Sequence, residues 1–193
     1  INVGIDLEKF RQVDSREIRD KYDITGKHII LGVASVWSQR KGLTDFIQLR
    51  SMLDPDIEIV LAGLTPQQIR DLPAGINGIS RTENIDELVA LYSAADVFLN
   101  PTYMDNFPAT NLEALACGTP VITYKTGGSP EAVSDDCGLV VKKGDIPGLV
   151  SAINEIIHKG KENFSSNCRS RAVTLYDRNL KTMEYLDLYN SLL

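Results

Sequence analysis

Two acidic residues flank a proline at the point where a helical pattern begins: Asp105, and Glu113 further along the chain. Pro108 suits the first turn of a helix because it has no N–H to leave unpaired. The amides of 109 to 111 would then face out of the helix N-terminus, which binds anions such as phosphate. A carboxylate has two acceptor oxygens that match a pair of vicinal hydroxyls. The segment therefore predicts a site for a phosphate with sugar hydroxyls close by.

Glu113 lies at the edge of the buried arc of this predicted helix, which includes Leu112 and Leu115. A carboxylate held beside the core favours a ligand contact. Two simpler interpretations stay open, because an acid near a helix N-terminus also suits the helix dipole, and Asp105 is an ordinary loop residue unless it has a partner.

A second segment with chemical potential is Arg40-Lys41-Gly42, which follows a strand-like run and precedes an apolar helix starting at Leu43. Cations at a helix start oppose the helix dipole, so this placement favours stability only if an anion binds there too. A bound diphosphate would resolve the conflict. The alternative is a solvated pair of basic residues on a loop.

A third segment is the glycine pair Gly127-Gly128, which follows another strand-like run. Glycine lets the backbone approach a ligand closely or adopt positive φ. Alone, the pair indicates only a turn, and its interest depends on whether it meets the other two segments.

The elements that must position these segments are short apolar runs, each followed by a helix-like stretch, a pattern typical of strands buried on both faces of a sheet. The predicted strands are 28–34, 57–62, 78–80, 96–100, 120–124 and 138–141, and the predicted helices are 43–53, 66–72, 85–94, 109–117, 129–134, 146–158 and 162–193.

This alternation predicts an α/β fold, a doubly wound parallel sheet of the Rossmann-like kind. Ligands bind such sheets at the carboxyl ends of the strands. All three segments follow strands, so we expect them to meet at that edge.

The composition limits the function classes. A net charge of -6 without a basic cluster argues against a nucleic-acid partner. Cys117, Cys137 and Cys168 form neither a CxxC pair nor a group with histidine, so we expect no metal site and a reducing, cytoplasmic location. No apolar run reaches the roughly 20 residues of a membrane helix.

The two ends of the chain suggest a partner domain. Residues 1–14 are predicted to form an extended lead-in to a domain spanning 15–193. The chain starts without a charged and then apolar leader, and its abrupt start resembles a cut in a longer chain. The tail, about 176–193, is more apolar than one helix face needs. We therefore expect it to pack on a further domain.

Taken together, the motifs resemble the C-terminal domain of retaining glycosyltransferases of family 4, the glycosyl transferases group 1 with the GT-B fold. The matching motifs are the lead-in from Ile1 to Phe10, Arg40-Lys41-Gly42 for the family's "KG", Tyr92-Ser-Ala-Ala-Asp-Val97 for "Y..AD", and Leu112 to Val121 with Gly127-Gly128-x-Pro130-Glu131 for "EAMACGTPV...GG.PE".

The resemblance implies a site for a nucleotide diphosphate-sugar, with a UDP-sugar favoured and no cofactor or metal. Lys41 would bind the donor diphosphate, Glu113 the ribose hydroxyls and Asp105 the sugar hydroxyls, as the three catalytic positions. The base would lie beside the 78–82 region. The remaining donor-binding positions would be Arg40, Arg81, Thr82, Asn106, Phe107, Pro108, Ala109, Thr110, Gly127 and Gly128.

The resemblance also implies the setting of the reaction, which is retaining transfer of a hexose-type sugar in bacterial polysaccharide or glycan synthesis. An N-terminal acceptor domain of the same protein would complete the enzyme, so this chain alone would bind a donor without transferring it. Any association with a membrane would occur through that domain.

The chain departs from the family pattern at two places. Asp105 stands where the family usually has Glu, and Ser35 and Val36 stand where it often has Arg. Two other function classes use a similar sheet. A nicotinamide-dependent oxidoreductase needs a glycine-rich turn after the first strand. In this chain that turn is Gly32-Val-Ala-Ser-Val-Trp37, which is not glycine-rich. A non-catalytic nucleotide-binding or interaction module of the same fold remains the alternative.

Overall fold

The computed structural model of the chain describes residues 1–192. Its centre is one sheet in which every strand pairs in parallel with its neighbours, in the order β3-β2-β1-β4-β5-β6. The strands within the described residues are β1 (His28–Val33), β2 (Ile57–Ala62), β3 (Ile76–Ile79), β4 (Val97–Asn100), β5 (Val121–Tyr124) and β6 (Gly138–Val141). The prediction of a doubly wound parallel sheet is confirmed.

Helices cover both faces of this sheet and connect its strands. They are α1 (Arg16–Lys21), α2 (Leu43–Arg50), α3 (Pro66–Arg70), α4 (Ile85–Ala94), α5 (Ala109–Ala116), α6 (Ile146–Lys159), α7 (Glu162–Tyr176) and α8 (Arg178–Ser191), with 3₁₀ turns at Gln39–Lys41 and Ser129–Ala132. The 129–134 region, predicted as a helix, is therefore a single 3₁₀ turn.

The strand order reverses between β1 and β4, which pair with each other while their connections lead to opposite sides. At such a switch point the loops diverge and leave a crevice outside the carboxyl ends of the strands. All four residues of β4 and all four of β5 are buried. Because both faces of these strands are covered, their sequences do not alternate between apolar and polar residues. The carboxyl ends of these strands thus form the base of that crevice.

The predicted continuous helix over 162–193 is wrong, because it breaks at Asp177. This residue is extended (φ -58°, ψ 127°) and forms a parallel bridge with Ile5 of the lead-in. The amide of Ile5 donates to Tyr176 O at 2.7 Å, and the amide of Arg178 donates to Ile5 O at 3.0 Å. The Asp177 carboxylate then accepts from the amide of Asn179 and starts α8.

Helix α8 packs less tightly than the others, since it has no buried residue within the described part. Leu180 and Met183 are 50% and 55% exposed, and Leu186 and Leu188 are also exposed. The predicted surplus of apolar surface on the tail is present up to Leu192, while Leu193 lies outside the described residues. Among the described helices, none combines the length and the apolar character that crossing a bilayer requires.

Candidate functional site

A cleft of about 550 Å³ opens at the carboxyl ends of β1, β2 and β3 and is closed on one side by α5. Five residues from the sequence prediction line it: Lys41, Arg81, Thr82, Thr110 and Glu113. They come from the loops after β1 and β3 and from the first two turns of α5. The structure thus brings a cation, a carboxylate and a helix N-terminus around one space.

Another cavity, of about 370 Å³, lies at the opposite edge, beside the amino ends of β2 and β3. Its carboxylate, Glu58, already accepts hydrogen bonds from the amides of Thr25 and Gly26 at 2.9 and 2.7 Å. Because the backbone satisfies this acid, the cavity presents no comparable group to a ligand. The cleft at the carboxyl edge is the better candidate.

Glu113 is held by the neighbouring helix. Its Oε2 accepts a hydrogen bond of 2.7 Å from the hydroxyl of Tyr92, a fully buried residue of α4. Burial raises the pKa of Glu113, and the hydrogen bond from Tyr92 acts in the opposite direction. A desolvated carboxylate with one oxygen held at a cleft is a typical functional arrangement. The simpler interpretation, an acid placed only to suit the helix dipole, does not explain this cross-helix contact.

Lys41 has an anionic partner in the unliganded site. Its Nζ lies 2.7 Å from Oδ2 of Asp105, and the two side chains are 22% and 17% exposed. Lys41 ends the 3₁₀ turn that precedes α2, so Asp105 offsets the unfavourable placement of a cation at a helix start. A carboxylate from the chain thus occupies the position that the sequence analysis gave to a bound anion.

The loop that carries Asp105 packs closely on the glycine pair. A Cβ on Gly127 would lie 2.0 Å from the carbonyl oxygen of Asp105, and one on Gly128 would lie 2.0 Å from that of Asn106. Gly127 also has φ +49°. Larger side chains would push the loop away, so in this structure the glycines serve the position of Asp105.

The rest of the predicted site surrounds the cleft without lining it. Pro108 lies at the N-cap of α5 with ψ 116° and not in its first turn, and the helix begins at Ala109 as predicted. The exposed Arg40 donates to Met104 O at 2.9 Å, which ties the two loops together. The predicted residues outside the cleft wall are Arg40, Asp105, Asn106, Phe107, Pro108, Ala109, Gly127 and Gly128.

Two residues of structural importance near the cleft were not predicted from the sequence. Tyr92 belonged to a matched motif but received no role. Asp45 of α2 is buried and accepts hydrogen bonds from the hydroxyls of Tyr103 and Tyr124. Its position beside Phe46 and four before Leu49, on the apolar face of a predicted helix, was a detectable signal. Trp37 is buried and donates its indole N–H to Ala62 O at 2.9 Å.

The sequence matches the family model described as Glycosyl transferases group 1 over residues 14–172, which is most of the chain. This chain belongs to that family. Among curated proteins, it is 28% identical over 176 residues to the D-inositol 3-phosphate glycosyltransferase of Saccharomonospora viridis, covering 81% of this chain and 41% of the relative.

Another curated relative is the N,N'-diacetylbacillosaminyl-diphospho-undecaprenol alpha-1,3-N-acetylgalactosaminyltransferase of Campylobacter jejuni. It is 29% identical over 203 residues, covering 98% of this chain and 53% of the relative. The group 1 chain therefore spans about half the length of the curated relatives it matches. Its relatives are named glycosyltransferases, and it shares their family.

Solved structures share the whole architecture. The sucrose-phosphate synthase of Thermosynechococcus elongatus superposes with a TM-score of 0.85 at 25% identity, covering 100% of this chain and 52% of that one. HepE of Anabaena, crystallised with UDP-glucose, gives 0.83 at 21% identity over 97% of this chain and 56% of that one. The Rossmann-like half of a GT-B glycosyltransferase is thus the fold of this group 1 chain.

Proposed function

We propose that this chain is the donor-binding domain of a retaining, metal-independent glycosyltransferase that uses a nucleotide diphosphate-sugar, with a UDP-sugar favoured. The observation that carries the proposal is the buried Glu113 carboxylate, which lines the same cleft as Lys41 and Thr110 at the start of α5. One acid for a diol and one cation beside a helix N-terminus for a diphosphate are the groups that a nucleotide diphosphate requires.

In this proposal each group has one task. Glu113 accepts hydrogen bonds from the ribose hydroxyls while Tyr92 holds its other oxygen. Lys41 and the amides of Phe107, Ala109 and Thr110 bind the diphosphate. These groups stabilise the negative charge that develops on the leaving diphosphate as the glycosidic bond breaks, which is electrostatic catalysis without a metal. Asp105 meets the sugar hydroxyls, and Arg81 with Thr82 borders the base.

The relatives support this choice of donor. HepE, which shares the fold, was crystallised with UDP-glucose, and other crystals of it contain UDP or UDP with glucose. The curated relatives are named for transfer of N-acetylgalactosamine and mannose among other glycosyl groups. A hexose-type donor used in polysaccharide or glycan synthesis is consistent with these names.

The proposal includes a second domain. The relatives are about twice as long as this chain, and α8 exposes Leu180, Met183 and Leu186 without a partner within the described residues. An N-terminal acceptor domain packed against the tail, with 1–14 as the connection, accounts for both observations. Transfer would then need that domain, membrane association would occur through it, and the donor domain would work in the cytoplasm.

Isothermal titration calorimetry with UDP, UDP-glucose, GDP- and ADP-sugars and NAD tests the proposal. We expect a sugar nucleotide to bind, and Lys41→Ala and Glu113→Ala each to weaken UDP binding about ten-fold or more, because charge-assisted contacts contribute about 1.5 to 3 kcal/mol. Lys125→Ala is the matched control, since Lys125 is exposed and lies outside the cleft wall. Binding of NAD alone, or unchanged affinity in both cleft variants, would contradict the assignment.

A transfer assay separates the enzyme from the non-catalytic alternative. It is done on the full-length protein with a radiolabelled donor. Donor binding with no transfer to any acceptor fraction would favour a nucleotide-binding module that has kept the fold.

A further inference from the structure

Within the described part of the chain, Asp45 is a buried carboxylate without a cationic partner. It is 6% exposed on α2, and among the described residues no lysine, arginine or histidine forms a salt bridge with it. Instead, the hydroxyl of Tyr103 donates to its two oxygens at 2.9 and 3.2 Å, and the hydroxyl of Tyr124 donates to Oδ2 at 2.6 Å. A buried acid satisfied only by neutral donors costs stability compared with an apolar side chain.

The three residues of this cluster come from the three segments that form the candidate site. Asp45 lies one turn after Lys41, Tyr103 lies two positions before Asp105, and Tyr124 ends β5 shortly before Gly127. The Tyr103 backbone amide also donates to Arg40 O at 2.8 Å, and the Tyr103 and Tyr124 rings meet edge to face at 5.7 Å. The cluster therefore joins the loops around the cleft without lining the cleft itself.

The two tyrosines connect the Asp45 carboxylate to different parts of the molecule. Tyr124 is fully buried on a central strand, so its hydroxyl anchors the Asp45 carboxylate to the sheet. Tyr103 is half-buried in the loop 101–107, so its hydroxyl anchors that loop to the carboxylate. Burial raises the pKa of both phenols, which keeps their hydroxyls protonated as donors.

We propose that Asp45 is a positioning residue: through Tyr103 it holds the loop 101–107 so that the start of α5, which follows that loop, faces the cleft. Its effect on nucleotide binding rests on the proposed function, since it assumes that this loop and helix bind the donor diphosphate. The position of the loop itself does not depend on that assumption.

The test compares Tyr103→Phe with Tyr124→Phe, a matched pair in which each variant removes one hydroxyl from the same carboxylate. Hydrogen exchange followed by mass spectrometry should show faster exchange in a peptide covering 102–107 for Tyr103→Phe only. In an Asp105→Asn background, where Lys41 has no competing carboxylate, adding Tyr103→Phe should weaken UDP binding about five-fold, equivalent to about 1 kcal/mol, and adding Tyr124→Phe should weaken it less than two-fold. Both variants should lose thermal stability, because both leave the buried acid one donor short.

Equal exchange of the 102–107 peptide in the two variants would overturn the proposal and leave Asp45 a structural residue only. If the unchanged protein does not bind UDP, the proposed function fails, and the exchange contrast still decides whether Asp45 positions the loop. If Tyr103→Phe does not fold, Asp45→Asn replaces it. That variant keeps one acceptor oxygen, and the same faster exchange is expected.

Discussion

The ion pair between Lys41 and Asp105 leads to a counter-intuitive prediction: Asp105→Asn should bind UDP more tightly than the unchanged protein. In the unliganded site, Asp105 lies 2.7 Å from Lys41 Nζ. A diphosphate that binds Lys41 must weaken or replace this contact. The amide that replaces the carboxylate in the variant is neutral, so the lysine would be available without that competition.

The size of the effect follows from the burial of the pair. Exposed ion pairs contribute about 0.2 to 1 kcal/mol, whereas removing one partner of a fully buried pair costs about 3 to 5 kcal/mol. Lys41 and Asp105 are 22% and 17% exposed, which is between these limits. We expect a gain of about 1 to 2 kcal/mol, or roughly 5- to 30-fold in the affinity for UDP.

Calorimetry at low and high salt measures this gain, which should shrink as salt screens the charges. Asp105→Glu keeps the charge and serves as the control, with no gain expected. In a Lys41→Ala background, Asp105→Asn should have no effect, which a double-mutant cycle detects. An affinity for UDP that is unchanged or lower in Asp105→Asn would refute the reasoning and show that Asp105 does not compete with the diphosphate.

Two further predictions concern stability without ligand. Burial raises the pKa of Glu113 in the folded protein. The contribution of this group to the free energy of unfolding is therefore fully present below about pH 4.5 and is lost as the pH rises through the folded pKa. Glu113→Gln should melt at a higher temperature than the unchanged protein at pH 7 but not at pH 4. Burial lowers the pKa of Lys161 to about 8, so between pH 8 and 10 the unchanged protein should gain stability relative to Lys161→Met, because only the unfolded chain still binds that proton. Thermal unfolding across pH measures both differences, and parallel curves for variant and unchanged protein would contradict them.

The sheet was predictable because each strand is a short apolar run that local sequence alone specifies. Strands 57–62 and 138–141 have the predicted ends. The failure at Asp177 has a physical reason, since the break depends on pairing with Ile5 at the other end of the chain. Helical periodicity on both sides of Asp177 continues across the break, so no local pattern distinguishes two helices from one.

The candidate site was predictable from the sequence to a similar extent as the fold. The positions of Lys41 and Glu113 follow from the order of strand, loop and helix, and the cleft contains both. Their partners do not follow from that order. Tyr92 and Asp105 are separated from Glu113 and Lys41 by 21 and 64 positions, and only the packing of α4 on α5 and of one loop on another brings them together.

Three unfavourable groups lie around the cleft at this edge of the sheet. Glu113 is desolvated, Lys41 precedes a helix start, and Asp45 is buried with no cationic partner among the described residues. Each arrangement costs stability, and for each an apolar or neutral side chain of similar size would cost less. Sequences that satisfy local rules elsewhere depart from them where a ligand or a site geometry requires it. Since these three departures surround one cleft, they favour the proposal that this cleft is where the fold accepts a cost in stability in exchange for binding.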